Sequence, residues 1–442
     1  MNIFDSFWEQ TVSIVWSLPL VILVISAGVY FSVISRLLPV RRFVHAIHLL
    51  TGKYDNPNDP GEVPHFHALT SALSGTIGMG NIAGVAIAIT MGGPGAIFWM
   101  WVAGFFGMTI KFFTCTLSCL YRKQDEDHIE QGGPMYFIEV GLGKKFRPLA
   151  VLFAICGMVG CIPMFQANQL AGLLDIELGI NRWVTGIVAL LIVGIVILGD
   201  IKRVGQTTSR LVPFMFVIYL ITSLLVISSN YDQIPGIITS IFTAAFGGEA
   251  IYGGVAGLTF KEVMITGIKR AVFSNEAGVG TEALAHGAAR TSEPVREGLV
   301  ASLGPFIDTH IVCTLTALVI LSSGVGPEES GIVMAASAFD QAIPVFGNIV
   351  LFTVFALFAV STMITYSYYS LKCSRYLFGK QAGNNYIYVY LSLIPLAANF
   401  TQNTVINIID TFFALMVIPT LISTLLLSPQ VIREMKKYFD GI

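Results

Sequence analysis

Apolar stretches long enough to cross a lipid bilayer dominate this sequence and constrain its fold more than any other feature. About 20 such residues suffice for one transmembrane helix. Of the 442 residues, 54% are hydrophobic and only 12% are charged. Because the bilayer core holds no water, the backbone there must satisfy its own hydrogen bonds, which favours helices. We predict an all-α integral membrane protein with about 11 transmembrane helices, at residues 11–37, 66–92, 96–121, 149–174, 182–199, 211–229, 263–288, 298–323, 346–374, 386–400 and 404–428.

The seventh stretch, residues 263–288, is the least apolar, and residues 236–258 compete with it for that place. The glycine density of 236–258 favours a short surface helix and a loop instead. If 263–288 spans and the N-terminus lies outside, 20 of the 25 Lys and Arg residues fall on the inner side. Inner loops carry the excess of basic residues. The sequence therefore predicts an outer N-terminus and a cytoplasmic C-terminus in the plasma (inner) membrane.

Composition and motifs exclude several functional classes. The net charge of −2 gives no support for nucleic-acid binding. No HExxH, GxSxG or His/Cys cluster is present, so we do not expect an enzyme. The N-terminal MNIFDSFWEQ lacks the basic region and cleavage site of a signal peptide, so we expect the first helix to be retained.

Residues 75–81, GTIGMGN, place three glycines in the middle of the second apolar stretch. Each glycine weakens a helix by about 1 kcal/mol relative to alanine, so we predict a break in this helix. The patch 78–83, GMGNIA, is matched 200 residues later by GVGTEA at 278–283, in the seventh stretch. CTLSCL at 115–120 is likewise matched by CTLTAL at 313–318.

These matches predict two five-helix repeats of opposite orientation, each containing one discontinuous helix. The first repeat covers 66–229 and the second 263–428, with an extra helix at 11–37, all within one polytopic membrane domain, 1–442. Inverted repeats with a broken helix in each half are typical of secondary transporters, whose substrates bind where the helices are interrupted.

Four segments resemble the alanine/glycine:cation symporter family, also called the sodium:alanine symporters: SGTIGMGNIAGVA at 74–86, GGPMYFIE at 132–139, FSNEAGVGTEALAHGAA at 273–289 and SYYSLKCSRYLFG at 367–379. The resemblance covers nearly the whole chain. It implies an inverted-repeat fold of the LeuT type and Na⁺-coupled, sometimes H⁺-coupled, uptake of alanine and glycine. Met79 is one departure, because the family often has a small residue there.

We expect the substrate between the two helix breaks. The free N–H groups of Gly78, Met79 and Gly80 begin a helix and can bind its carboxylate. Asn275 and Glu276, in the second break, can take its ammonium group. Glu276 has the alternative of a structural ion pair with Lys111 or Arg270.

The fourth predicted helix offers Gln166 and Gln169, and either amide can bond the carboxylate or only bond a neighbouring helix. The resemblance implies that this helix lines the pocket, which favours Gln169, with Phe165 as an apolar wall. Because the side chain of alanine is one methyl group, we expect selection by steric exclusion, with Met79, Phe165 and Phe273 limiting the volume.

The resemblance to a LeuT-type fold implies a Na⁺ site between the second and ninth predicted helices. Hard cations prefer oxygen ligands, and Ser361, Thr362 and Thr365 place three hydroxyls within about one turn. The resemblance adds the carbonyls of Ser74 and Ile77. The alternative is that the hydroxyls bond backbone carbonyls of their own helix.

A proton-coupled or uncoupled carrier of the same fold is the alternative function, with Glu276 as the proton carrier. Two other polar sets have structural interpretations. Lys111 and Asp308 occupy equivalent positions in paired helices and suggest either snorkelling or a structural ion pair rather than transport chemistry. Glu282 and His286 share one helical face and suggest hydrogen bonds within the bundle rather than proton relay.

Overall fold

The computed structural model describes residues 3–125, 128–198, 201–246, 259–326, 331–342 and 346–441. Helices make up most of its regular structure, with one antiparallel pair of short strands, β1 (Lys123–Gln124) and β2 (Glu130–Gln131). The helices of the first half are α1 (Ile3–Val15), α2 (Leu18–Ile34), α3 (Leu38–Arg41), α4 (Phe43–Leu50), α5 (His65–Thr76), α6 (Met79–Gly92), α7 (Gly95–Leu120), α8 (Pro134–Gly141), α9 (Arg147–Gly160), α10 (Met164–Leu178), α11 (Arg182–Ile197) and α12 (Ile201–Ser229).

The second half is also helical over the residues described. Its helices are α13 (Ile234–Ala244), α14 (Phe260–Asn275), α15 (Glu282–His286), α16 (Pro294–Pro305), α17 (Thr314–Ser323), α18 (Ile332–Ala342), α19 (Phe346–Ala397) and α20 (Gln402–Asp440). Helix α13 occupies the first part of the competing stretch 236–258, and residues 247–258 of that stretch lie outside the described residues.

Within the described ranges, seven helical segments are long and apolar enough to cross a membrane: His65–Gly92, Gly95–Leu120, Lys144–Leu178, Arg203–Ser229, Pro294–Ser323, Phe352–Ala397 and Gln402–Asp440. The pair α1 and α2, bent by 43°, makes an eighth if it counts as one span. Two predicted spans share α19, which is broken at Gly379 (φ +79°). The all-α membrane architecture is thus confirmed, and the count of eleven stays a prediction.

The predicted break in the second span lies between α5 and α6. Helix α5 ends at Thr76, and Gly78 is extended (φ −159°, ψ −151°) before α6 begins at Met79. The most apolar window of this segment is buried throughout. The polar groups that the break exposes therefore face protein rather than lipid, the condition under which an irregular backbone is tolerated at membrane depth.

The second predicted break lies between α14 and α15. The left-handed backbone begins at Glu276 (φ +56°) and returns at Gly278 (φ +88°) and Gly280 (φ +93°). Glycine adopts these angles without the steric penalty that a Cβ atom brings. The GVG of the repeated motif therefore supplies the turn, and Glu276 is the one residue there with a side chain at positive φ.

Two further irregularities were not predicted. Helices α9 and α10 are separated by Cys161–Pro163, so the fourth span is also interrupted. A π-helical segment, Phe306–Cys313, follows Pro305 between α16 and α17. Such segments occur frequently at functional sites, and this one carries Asp308 and Thr309.

Candidate functional site

The two helix breaks meet in the interior of the protein. A Cβ atom on Gly80, in the first turn of α6, would lie 3.4 Å from the Phe273 Cε1 atom and 3.4 Å from the Ser274 Cα atom of α14. Met79 and Phe273 are both buried. The structure therefore brings Gly78, Met79 and Gly80 next to the second break, as the sequence predicts.

One of the three amides expected to bind a carboxylate already has a partner. The Gly78 N–H donates to the Asn81 Oδ1 atom at 2.9 Å. The Asn81 amide nitrogen donates in turn to the Asp308 carboxylate at 2.6 Å. Sequence reasoning missed Asn81, although its position at mid-membrane in the repeated GMGNIA patch was a signal.

Asp308 joins both breaks to the π-helical segment. Besides Asn81, its carboxylate accepts hydrogen bonds from the hydroxyls of Ser274 and Thr309, each at 2.9 Å. The Asp308 side chain is completely buried. Among the described residues, no ion pair within 4.0 Å joins it to Lys111. Asp308 is therefore a hydrogen-bonding centre of the site and not half of the expected ion pair.

Glu276 is buried and bonded to hydroxyl groups. Its two carboxylate oxygens accept from the Thr281 hydroxyl at 2.5 Å and the Tyr366 hydroxyl at 2.6 Å. Arg270, one of its suggested partners, pairs with Asp410 instead. A carboxylate held by two neutral donors keeps its charge available to a cationic group of a ligand.

Both ends of the Asn275 amide are hydrogen-bonded within the protein. Its amide nitrogen donates to the Thr309 hydroxyl at 2.9 Å, and its oxygen accepts from the Ala277 N–H at 2.9 Å. The side chain therefore ties the end of α14 to the π-helical segment. This supports a structural role for Asn275, in contrast with the ligand role predicted for it.

The glutamines of α10 present unpartnered oxygens. The Oε1 atoms of Gln166 and Gln169 are buried, and neither has a hydrogen-bond donor in the described part of the chain. A buried polar atom without a partner costs about 1–3 kcal/mol. Both side chains are therefore suited to meet a polar ligand, and the structure does not favour Gln169 over Gln166.

Aromatic side chains form the apolar wall. The Phe165 ring meets the Phe273 ring edge-on, with centroids 4.9 Å apart. Phe413 of α20 extends the wall, and its ring centroid lies 5.7 Å from that of Phe273. The structure therefore brings Phe165 and Phe273 together as predicted. It adds Phe413, which no sequence motif marked.

The expected cation ligands lie where α5 ends against α19. The Thr362 hydroxyl donates to the Ser74 carbonyl at 3.0 Å, and the Ser74 hydroxyl donates to the Ser361 carbonyl at 2.9 Å. A Cβ atom on Gly78 would lie 2.3 Å from the Thr362 Oγ1 atom, so only glycine fits there. Ile77, whose carbonyl was the other predicted ligand, is buried at the end of α5.

The other two hydroxyls differ from each other. The Ser361 hydroxyl bonds the Phe358 carbonyl of its own helix at 3.0 Å, which is the structural alternative. The Thr365 hydroxyl is buried without a partner among the described residues. Thr362 and Thr365 are therefore the hydroxyls best placed for a cation.

A model of the sodium:alanine symporter family matches residues 1–441. The chain is similar to the sodium/alanine symporter AgcS of Methanococcus maripaludis, with 37% identity over 98% of this chain and 97% of that protein. It is also similar to a putative sodium/proton-dependent alanine carrier, YrbD, of Bacillus subtilis, with 34% identity over 96% and 90%. A probable sodium/glutamine symporter, GlnT, of the same organism is 32% identical over 96% of this chain and 88% of that protein.

Solved structures share the fold at low identity. MhsT in complex with L-phenylalanine superposes with a TM-score of 0.57 and 13% identity, over 82% of this chain and 89% of that one. A Na⁺-coupled sialic acid symporter superposes with a TM-score of 0.53 and 13% identity, over 96% of this chain and 86% of that one. Both results support the LeuT-type fold. The chain belongs to the sodium:alanine symporter family, and it is therefore a secondary transporter that takes Na⁺ as its co-transported ion, not an enzyme.

Proposed function

We propose that this protein carries alanine and glycine into the cell together with Na⁺ by alternating access. One observation carries the proposal: both helix breaks meet at a buried place beside the Glu276 carboxylate and an aromatic wall, and Phe165 of that wall is on the same helix, α10, as the unpartnered oxygens of Gln166 and Gln169. An amino acid needs anion-binding, cation-binding and apolar surfaces close together. The described residues around Gly80 and Phe273 offer all three.

The substrate carboxylate is assigned to the N-terminal turn of α6, at Met79 and Gly80, where amides not used within the helix point outward. The ammonium group is assigned to Glu276 and to an amide oxygen of Gln166 or Gln169. The methyl group of alanine would then face Phe165 and Phe273. Asn275 supports this arrangement without contacting the substrate.

The Na⁺ ion is assigned between α5 and α19. Its ligands would be the carbonyls of Ser74 and Ile77 and the hydroxyls of Thr362 and Thr365, with Ser361 turning from its own helix to join them. Because the same broken helix carries the substrate amides, an ion that fixes α5 against α19 also fixes the start of α6. Na⁺ and substrate then raise each other's affinity by the same factor.

The orientation that we propose has the N-terminus outside and the C-terminus in the cytoplasm of the plasma (inner) membrane. A cavity of about 820 Å³ supports it. The cavity is lined by basic side chains that the predicted topology places on the inner side of the membrane: Lys123, Arg147, Lys372, Arg375 and Lys380. Inner loops are the basic ones, so the cavity would open to the cytoplasm, where a substrate leaves.

The two inverted repeats that we propose, 66–229 and 263–428, place one interrupted helix in each. The repeats would move relative to each other about the central site, with the helix at 11–37 outside the repeat. The shared positions of the two breaks, near the start of each unit, support this division.

The test is binding of L-alanine to the purified full-length protein, by calorimetry or thermal shift, in NaCl and in choline chloride at one pH. The proposal expects binding in NaCl and at least tenfold weaker binding in choline. Equal binding in both salts would contradict Na⁺ coupling. Absence of alanine binding in either salt, with binding of another amino acid, would contradict the substrate.

A proton-coupled cycle is the second candidate, because Glu276 is a buried carboxylate without an ion-pair partner within 4.0 Å among the described residues. Alanine uptake into proteoliposomes distinguishes the two. A pH gradient imposed without Na⁺ should drive uptake only if the cycle is proton-coupled. The Glu276→Gln variant should then lose this uptake.

A further inference from the structure

A second cluster of titratable side chains lies away from the substrate and Na⁺ sites. It joins the first residue of α5, the last residue of α15 and the first turn of α16. The Glu297 carboxylate accepts from the Nδ1 atom of His65 with one oxygen and from the Nδ1 atom of His286 with the other. All three side chains are at most 1% exposed. Neither the transport site nor the proposed coupling uses them.

We propose that His65 and Glu297 form a proton-binding site, loaded from the protein surface through Asp55. The Asp55 carboxylate lies 4.0 Å from the His65 Nε2 atom and is 37% exposed. It is the exposed member of the group, so a proton can enter there. The site is a property of this cluster and does not depend on which amino acid is transported.

The hydrogen bonds identify which imidazole holds the proton. Both rings donate through Nδ1, so a neutral ring has a lone pair on Nε2. At His65 that lone pair would face the Asp55 carboxylate, which is repulsive. A proton on the His65 Nε2 atom turns this repulsion into attraction and gives a cation between two carboxylates. The His286 Nε2 atom has no partner in the described part of the chain, which fits the neutral ring.

Charge balance points the same way. With both imidazoles neutral, Glu297 would be an uncompensated buried anion, which is strongly destabilising. One proton on His65 makes the buried pair neutral. Glu297 also lies in the first turn of α16, where a negative charge is favoured by the helix dipole.

The remaining charged and titratable groups that face the cluster come from five elements. Arg296 is beside His65, and it also faces His45 of α4. Cys119 is near Glu297, and the Arg122 guanidinium binds the Ala289 carbonyl just beyond α15. The others are Glu282 of α15, Lys111 and Cys115 of α7, and Lys372 of α19.

The backbone around the cluster is tied together. The Arg290 N–H donates to the Val63 carbonyl at 2.7 Å, and the Glu62 N–H donates to the Ala288 carbonyl at 2.9 Å. The proton therefore fastens the start of α5 to a segment already bonded to it. Because α5 carries Ser74 and Ile77 at its other end, one helix connects this proton to the proposed Na⁺ site.

The first experiment measures thermal stability of the purified full-length protein from pH 5.5 to 8.5. The proton stabilises the folded state at low pH, and this contribution is lost as the pH rises and the proton leaves. We therefore expect the ratio of the folding equilibrium constants of wild type and His65→Gln to fall as the pH rises. Across the pH range in which the proton leaves, called the transition below, the ratio should fall by about tenfold per pH unit, which is the slope for one proton. Glutamine keeps an N–H for Glu297, so the variant should fold.

Three further variants make the test specific. His286→Gln should keep the transition, since that ring is neutral, and His67→Gln, on α5 but outside the cluster, should match wild type. Asp55→Asn should move the transition to lower pH. The proposal is overturned if His65→Gln follows the wild-type curve, or if His286→Gln loses the transition while His65→Gln keeps it.

Na⁺-driven alanine uptake adds a functional measurement. Wild-type uptake should fall between pH 6 and pH 8, and uptake by His65→Gln should be the same at both. A wild-type profile identical to that of His65→Gln would overturn the link to transport. If no variant or wild type takes up alanine, the proposed function fails, and the stability curves still decide the proton site.

Discussion

The Thr362 hydroxyl of α19 donates a 3.0 Å hydrogen bond to the Ser74 carbonyl of α5, one turn before the helix breaks. Two oxygens at this separation can both contact a single cation. The bond therefore marks the place where an ion between α5 and α19 would replace a direct contact between the helices.

Thr362→Val removes one of these oxygens and keeps the shape of the side chain. We expect the Na⁺ concentration for half-maximal alanine binding to rise by about tenfold, equivalent to about 1.4 kcal/mol. Calorimetry over a NaCl series measures it. Thr424→Val is the matched control, because that buried hydroxyl bonds its own helix at 2.7 Å. An unaltered Na⁺ requirement would refute the role of Thr362.

Gly80 tests the contact between the two breaks. Its Cβ position lies at van der Waals distance from Phe273 and Ser274, so alanine fits and leucine would fill the space that we assign to the substrate. We expect Gly80→Ala to weaken alanine binding modestly and Gly80→Leu to abolish it, with both proteins folded by thermal melting. Gly236→Leu, at an exposed position with open space around it, should bind normally. Retained affinity in Gly80→Leu would remove this residue from the site.

Phe273 tests selection by size. Its ring meets Phe165 at 4.9 Å between centroids, and Phe273→Ala removes one side of that wall. We expect leucine and methionine to inhibit uptake of labelled alanine in the variant but not in wild type. Phe214→Ala changes a side chain that is 57% exposed and should leave selectivity unaltered. An unchanged inhibition pattern in Phe273→Ala would place the size limit elsewhere.

The sequence predicts most of the architecture because glycine has local and specific consequences. GTIGMGN and AGVG mark both helix breaks, since at Gly78 a Cβ atom would strike Thr362 and at Gly278 and Gly280 the backbone is left-handed. Apolar length predicts the spans for a similar reason, because bilayer thickness sets it. These signals need no knowledge of distant contacts.

The partners of polar side chains could not be predicted in the same way. Asp308 and Arg270 both fall within predicted apolar stretches, but their partners, Asn81 and Asp410, lie 227 and 140 residues away along the chain. From the sequence alone, several different partners could neutralise or hydrogen-bond each buried charge equally well. Tertiary packing decides among them, and it also places Phe413 beside Phe273 without any periodic signal.

Glu276 tests whether a charge balances the substrate ammonium group. Its two partners, Thr281 and Tyr366, are hydroxyls, which can accept as well as donate. Glu276→Gln should therefore keep both hydrogen bonds and melt near wild type, while alanine affinity falls by about tenfold or more. Tyr366→Phe, which removes one bond but keeps the charge, should weaken binding less. Equal affinity in Glu276→Gln and wild type would contradict the ammonium assignment.

The buried group Lys269, Arg270 and Asp410 gives an asymmetric prediction. The Asp410 carboxylate binds the Arg270 guanidinium and the Lys269 ammonium, the latter at 2.7 Å. Asp410→Asn leaves Arg270, only 2% exposed, without a carboxylate, and breaking a buried pair in this way costs about 3–5 kcal/mol. Arg270→Gln costs less, because Lys269 still neutralises Asp410. Thermal melting should therefore rank Asp410→Asn below Arg270→Gln, and the double variant above Asp410→Asn alone.

Lys437→Gln, which removes an exposed pair with Glu434 at 3.8 Å, is the control and should change the melting temperature little. A double variant less stable than Asp410→Asn would mean that the Arg270 charge is compensated by something other than Asp410.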